Sequence, residues 1–329
     1  MSKVLLLSRV DVKSVLNMKE TIKAIETAFK ELSEGTAILP QRIVIPTKGG
    51  ISLYMPAFLP QTGSMTVKVV TVFERNPEKF GFPVILGKVL LQDNETGDVV
   101  SIMDESYLTA MRTGAVSGCA IDHLAKKGAK SVGLFGTGVQ GETQLWAACE
   151  VRPSIDTCKV YDIRKDVAEE FARKIRKKLR ISGIKVIETP EETVKGSDII
   201  LTATTSSNPV FQGEWLEPGV HISAIGSYTP STRELDTETI KKSKVVCDQV
   251  SACLDEAGDI IIPINEGAIT KKHIYAELGE IISGKKVGRE NESEITLFKS
   301  VGLAIQDAAT AKLVYDKARE MKRGIEVEI

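Results

Sequence analysis

Cysteine is scarce and unpatterned in this sequence. Cys119, Cys149, Cys158, Cys247 and Cys253 form no C-x-x-C pair and share no metal-ligand spacing with His123, His221 and His273. With no H-E-x-x-H either, a metal centre is not expected, and the thiols are expected to be reduced and buried. Long apolar runs are also missing. No stretch reaches the about 18 residues that would mark a membrane span, and the N-terminus lacks the charged, apolar and small-residue order of a signal peptide, so a soluble cytoplasmic protein is expected. Neither sign of charge dominates: 43 Lys and Arg stand against 44 Asp and Glu, for a net charge of −1. That balance, without long single-sign runs, argues against nucleic acid or an anionic membrane as the principal partner and leaves a small-molecule substrate. The sequence shows no internal repeat and no low-complexity segment.

What the chain does have is a glycine loop in the right setting. Ser131–Phe135 reads as an apolar strand that breaks into Gly136-Thr137-Gly138-Val139-Gln140-Gly141 at the mouth of a helix. Gly136 permits the tight turn, Gly138 removes a side chain where backbone must approach a pyrophosphate, and Gly141 lets the helix press on the strand. The unpaired N–H groups of the helix start then face the negative charge. Asp162 follows about 20 residues later, after the strand-like Lys159-Val160-Tyr161, where a carboxylate accepts both ribose hydroxyls. The combination points to a nicotinamide dinucleotide. Asp162 repels a 2′-phosphate and so favours NADH, although Arg164 and Lys165 beyond it offer charge to NADPH.

The 329 residues suffice for two domains. After the glycine loop, helical and strand signals alternate: a charged helix over Asp166–Leu179, then strands at Ile184–Ile187, Asp198–Ala203, Val220–Ile225 and Lys244–Asp248. This is the rhythm of a doubly wound parallel sheet. The first 110 or so residues differ. A helix at Met18–Leu32 precedes strand candidates Arg42–Ile45, Ile51–Met55, Met65–Phe73, Val84–Leu91 and Val99–Met103, and consecutive strands without helices suggest an antiparallel sheet. Leu297, Val301, Ala304, Ile305 and Ala308 recur at helical spacing and predict a late helix over Glu294–Lys317, either packing alone or crossing back to complete the first domain.

Three basic residues sit in apolar surroundings before the glycine loop: Arg42, Lys68 and Arg112. A buried charge needs an anionic partner. For Lys68, strand alternation equally allows a solvent-facing side chain. A reading that unites the three is convergence on a substrate carboxylate, which an arginine fork grips at both oxygens and a lysine meets as a point charge.

The chain resembles the ornithine cyclodeaminase/μ-crystallin family. The resemblance runs through Leu53-Tyr54-Met55-Pro56-Ala57-Phe58, Val67-Lys68-Val69, Arg112-Thr113-Gly114-Ala115, the glycine loop, Ile225-Gly226-Ser227-Tyr228-Thr229-Pro230 and Arg233-Glu234-Leu235-Asp236. It implies an α/β chain in which a Rossmann-type NAD(P)-binding domain, residues 113–299, is inserted into a smaller α+β substrate-binding and dimerisation domain, residues 1–112 plus 300–329, and it implies a homodimer. Arg42, Lys68 and Arg112 would hold the substrate carboxylate with Met55 nearby. Thr113, Gly138, Val139, Gln140, Asp162 and Arg164 would line the cofactor, as would Thr202, Ala203 and Thr204 after one strand and Ile225, Gly226 and Ser227 after another. Each threonine could instead be an ordinary loop residue. Val301, from the late helix, is a candidate contact to substrate or nicotinamide.

One departure bears on the reaction. Where the cyclodeaminases of this family carry an aspartate, two residues before the proline, this chain has Tyr228. A phenol is a poor base at neutral pH and cannot pair with an ammonium as a carboxylate does. Deamination with ring closure is therefore disfavoured. The resemblance then implies reduction of a cyclic 2-imino carboxylate, Δ1-pyrroline-2-carboxylate or its six-membered analogue, to L-proline or L-pipecolate, with Lys68, Arg112 and Tyr228 as the catalytic candidates. Alanine dehydrogenase and ornithine cyclodeaminase are the enzymatic alternatives, and a μ-crystallin-like NAD(P)H-binding protein is the non-enzymatic one.

Overall fold

In Ser64–Val72 every second side chain from Ser64 to Val70 is buried, the period of a strand with one face on a core. The computed structural model describes residues 3–179 and 181–329. Numbered along the chain, the strands of a first sheet are β1 (Lys3–Leu7), β2 (Ile43–Thr47), β3 (Gly50–Leu59), β4 (Ser64–Val72), β5 (Ile85–Gln92), β6 (Val99–Asp104) and, from the far end of the sequence, β15 (Ile325–Glu328). Their order is β15-β1-β6-β5-β4-β3-β2. Pairing is antiparallel from β2 to β6, while β1 runs parallel to β6 and antiparallel to β15.

The helix Ala304–Glu320 lies on β3 and β4 and against the helix Met18–Ser33. Its buried side chains include Ala304, Ala308, Ala309, Ala311 and Ala318, small enough for a helix to sit close to a sheet and a second helix at once. Met18–Ser33 turns Met18, Ile22, Ile25 and Phe29 inward, and Asn17 caps it by accepting the Glu20 N–H at 2.9 Å, a contact worth about 1 kcal/mol. These elements, up to Arg112 and from Leu303 to Ile329, form one compact unit.

Thr113–Gly302 forms the other. Its strands are β7 (Ser131–Phe135), β8 (Thr157–Tyr161), β9 (Gly183–Val186), β10 (Ile199–Thr202), β11 (His221–Ala224), β12 (Lys244–Cys247), β13 (Ile274–Glu277) and β14 (Thr296–Lys299). They pair in parallel in the order β13-β12-β14-β11-β10-β7-β8-β9. Read from β9, the first five positions reproduce the doubly wound dinucleotide-binding order, and β14 takes the sixth. All residues of β10, β11 and β14 are buried, as a parallel sheet covered on both faces requires. Ile199 and Leu201 pack with Val132, Leu134 and the helix Lys165–Lys178 on one side, and Ile200 packs with Phe135, Ile222 and Leu297 on the other.

The late helix begins later than its periodicity predicts. Thr296–Lys299 is strand β14, inserted between β11 and β12, and the helix starts at Ala304. Leu297 and Phe298 are consecutive, fully buried side chains on opposite faces of the sheet, and Gly302 at φ +83° breaks the chain before the helix. A short apolar strand followed by a helix had mimicked a single helical stripe. Val301 therefore lies in the connecting turn and not on the helix. The boundary moves with it: Ser300–Gly302 stay with the parallel-sheet unit. The carboxylate of Asp248 holds them there, accepting the Ser300 hydroxyl at 2.7 Å and the N–H groups of Val301 and Gly302 at 2.9 Å each. Among the described residues no helix is long and apolar enough to cross a membrane.

Candidate active site

The glycine loop connects β7 to the helix Val139–Val151. Gly136 has φ +91°, and a Cβ there would stand 2.4 Å from the Ala203 carbonyl oxygen. A Cβ on Gly141 would stand 2.1 Å from the Gly136 carbonyl oxygen, so the helix can meet the turn only without a side chain. At Gly138 a Cβ would meet nothing within 4 Å. Gly138 and Val139 are exposed, and the helix has no side-chain cap, so its first N–H groups are free to meet an anion. Gln140 Oε1 is buried without a hydrogen-bond partner. This cradle fits a dinucleotide pyrophosphate.

Asp162 follows β8 and locks the loop. Its Oδ2 accepts the Thr137 N–H at 3.0 Å and hydroxyl at 2.6 Å, and its Oδ1 accepts the Arg164 N–H at 3.0 Å. Burial works against its charge, but these hydrogen bonds, with the Arg164 guanidinium, outweigh burial and hold the carboxyl below the usual range. A carboxylate accepts about four hydrogen bonds, so capacity for a ligand hydroxyl remains. Arg164 is exposed. Thr113 is nearly buried, and its carbonyl accepts Gln144 Nε2 at 3.0 Å.

Thr202, Ala203 and Thr204 leave the end of β10, and Ile225, Gly226 and Ser227 leave the end of neighbouring β11. Both segments are thus at carboxyl ends of strands, where ligands bind in such sheets. Thr202 and Thr204 are not ordinary loop threonines: both hydroxyls donate to the buried carboxylate of Glu234. Burial pushes the Glu234 carboxyl up from its ordinary range, with Lys299 opposing. Ser227 donates to the Thr232 carbonyl at 2.5 Å, and Tyr228 next to it is 55 % exposed.

In the other unit, Lys68 faces inward on β4, flanked by Met55 on β3 and Val89 on β5. Arg112 comes from the helix Glu105–Leu124. Both reach Asp307 on the late helix: Lys68 Nζ lies 2.7 Å from Oδ2, and Arg112 Nε lies 3.1 Å from Oδ1. Arg112 Nη1 also donates to Gln306 Oε1. Burial pushes the Lys68 ammonium down from the usual lysine range and Arg112 adds to this, while Asp307 and, less strongly, Glu105 pull it back. Two cations share this one contacting carboxylate, with the buried Glu105 as a further acid near Lys68. Arg42 stands one residue before edge strand β2, two strands from β4, with its side chain half-buried.

Lys68 and Arg112 therefore meet, with Met55 directly across from Lys68. Asp307, which joins them, escaped the sequence reading, as did Gln306 and the roles of Glu234 and Asp248. Asp307 had a signal: it is an acid beside Ala304, Ile305 and Ala308 on an apolar helix, where a buried cation elsewhere should find its partner. Glu234 had none for this role, because its Thr202 and Thr204 donors lie some thirty residues away in sequence.

A model of the ornithine cyclodeaminase/mu-crystallin family matches residues 2–322. The Δ1-pyrroline-2-carboxylate reductase of Bacillus cereus is 40 % identical over 327 residues, covering 98 % of this chain and 99 % of that protein. The structure of Thermococcus litoralis Δ1-pyrroline-2-carboxylate reductase in complex with NADH and L-proline matches with a TM-score of 0.94 and 48 % identity, covering 98 % of this chain and 100 % of that one. An archaeal alanine dehydrogenase dimer with bound NAD matches with a TM-score of 0.93 and 36 % identity, covering 100 % of both chains. With its whole length accounted for by such relatives and its motifs in place, the chain belongs to the ornithine cyclodeaminase/mu-crystallin family.

Proposed function

We propose that this chain is an NAD(P)H-dependent imine reductase that converts Δ1-pyrroline-2-carboxylate to L-proline, with the six-membered imine as a second substrate. The observation that carries this reading is the buried Lys68–Asp307–Arg112 arrangement, two cations on one contacting carboxylate, on a chain that also has a dinucleotide cradle. Full-length relatives named as reductases of this substrate support it.

In this reading the sheet unit with the late helix binds substrate and the parallel-sheet unit binds cofactor. NADH, when bound, supplies the hydride that adds to C2 of the imine. Lys68 and Arg112 neutralise and orient the carboxylate, which fixes the ring. The imine nitrogen takes up a proton, making C2 the better acceptor; the Lys68 ammonium, the Tyr228 hydroxyl and water are the available donors. The product amine keeps that proton and C2 keeps the hydride. Asp162 favours NADH over NADPH, since its carboxylate repels a 2′-phosphate. Ile43, Val44 and Ile45 on edge strand β2, with Phe80, Phe82, Ile85 and Leu86, are exposed large apolar side chains and suit burial against a second copy, as expected of a cytoplasmic homodimer.

The test is a panel of NADH-linked assays at 340 nm over pyrroline-2-carboxylate, piperideine-2-carboxylate and pyruvate with ammonia. Turnover of the cyclic imines is expected. The resemblance to an archaeal alanine dehydrogenase makes faster turnover of pyruvate with ammonia the result that would replace this reading, and tight NADH binding with no turnover would make the chain a binding protein.

A further inference from the structure

Two loops leave the parallel sheet side by side, Thr202–Thr204 after β10 and Ile225–Ser227 after β11, and a single carboxylate ties them together. Glu234 Oε1 accepts the N–H of Thr204 at 2.7 Å and its hydroxyl at 2.8 Å. Glu234 Oε2 accepts the Thr202 hydroxyl at 2.7 Å and the N–H of Gly226 at 2.8 Å. These donors fill the about four accepting positions of a carboxylate. Glu234 has no exposed surface, and Gly226 is what admits it, since a Cβ there would lie 2.4 Å from Oε1.

A second tier holds Glu234 in turn. Asp259 Oδ1 accepts the backbone N–H groups of Glu234 at 2.8 Å and Leu235 at 2.9 Å. Its Oδ2 pairs at 2.7 Å with Lys299 Nζ, at the end of β14, and neither side chain is exposed. Burying two carboxylates and one ammonium is costly to stability. What they supply in return is geometry: each donor is met at a fixed distance by a side chain that is itself anchored.

In doubly wound sheets the two halves each take one nucleotide of a dinucleotide. Asp162 stands at the end of β8, in the half that takes the adenosine ribose. Strands β10 and β11 belong to the other half, which faces the nicotinamide nucleotide. We propose that Glu234 is a positioning residue for the nicotinamide half of the cofactor, setting the spacing of the β10 and β11 loops from beneath without touching ligand or substrate. The inference rests on the dinucleotide reading given above.

Glu234→Gln tests it with little change of shape. Whichever way the amide turns, its NH2 group faces a backbone N–H, of Thr204 or of Gly226, so one loop loses its anchor. The expected result is that the variant binds NADH about tenfold more weakly and loses kcat, while its affinity for ADP-ribose and its KM for the imine acid stay within twofold of wild type. General loosening of the unit would weaken ADP-ribose as well, and that outcome overturns the proposal. So does a folded variant with unchanged NADH affinity and kcat. If Glu234→Gln does not fold, Thr202→Val, which removes a donor hydroxyl from a side chain with no exposed surface, carries the test: weaker NADH with unchanged ADP-ribose supports the role, and unchanged NADH overturns it. Wild-type protein that binds no NADH overturns the dinucleotide reading itself, which the variants alone cannot do.

Discussion

Asp307 and Lys68 form a buried ion pair, 2.7 Å between Oδ2 and Nζ, with side chains 0 % and 4 % exposed. The other oxygen of the same carboxylate lies 3.1 Å from Arg112 Nε, so one residue of the late helix spaces both cations of the proposed carboxylate clamp. Asp307→Asn keeps the shape and removes the charge. It is expected to lower kcat/KM for the imine acid by about 2 kcal/mol, and Asp307→Ala is expected to cost about 3–5 kcal/mol of stability by leaving two buried cations uncompensated. Steady-state kinetics and urea unfolding measure the two effects separately.

A pH dependence follows from the same pair. Burial lowers the Lys68 ammonium below the ordinary lysine range and Asp307 is the principal influence raising it. The charged form binds the substrate carboxylate, so kcat/KM should fall on the alkaline side at a pH below that of an exposed lysine. Removing the Asp307 charge in Asp307→Asn should move that limb to still lower pH. A limb that moves upward, or does not move, would take Lys68 out of carboxylate binding.

Lys68→Met and Arg112→Met should each reduce kcat/KM by more than about 2 kcal/mol, since each leaves a desolvated carboxylate short of a charged partner. NADH affinity should be unaffected in both. Wild-type efficiency in either would remove that residue from the clamp.

Asp162 already accepts the Thr137 N–H and hydroxyl and the Arg164 N–H. Asp162→Ser should remove the charge that opposes a 2′-phosphate, lowering kcat/KM with NADH and narrowing its advantage over NADPH. Equal efficiency with both cofactors in the wild-type enzyme would contradict the assignment of NADH preference to this carboxylate.

Tyr228 is more than half exposed. If its hydroxyl delivers the proton, Tyr228→Phe should lower kcat and change the pH–rate profile. An unchanged profile leaves the residue a steric part and assigns protonation to Lys68 or water.

The parallel sheet was legible because its signals are local: a glycine loop at a strand end, an acid after the next strand, and alternation of apolar strands with helices. The inward turn of Lys68 was half legible, since strand alternation defines two faces without saying which is covered. Its partner was not, because Asp307 is some 240 positions away in sequence and only the docking of the late helix on β3 and β4 brings it near. Strand β14 was misread for a related reason. A buried strand of Thr296–Lys299 is too short to show its own period, so the helix that follows lends it one. Strands β1 and β15 went unread because each is completed by a partner from the opposite end of the chain.

The placement of β14 also dictates an order of assembly during synthesis on the ribosome. The seat between β11 and β12 stays vacant until Lys299 has been translated and released from the exit tunnel, so a nascent chain that already holds the whole glycine loop still lacks an interior strand of its sheet. The first unit waits longer, for Ala304–Glu320 and Ile325–Glu328. Neither unit is complete until these elements have emerged, and until then the growing chain presents open sheet edges that invite capture by chaperones.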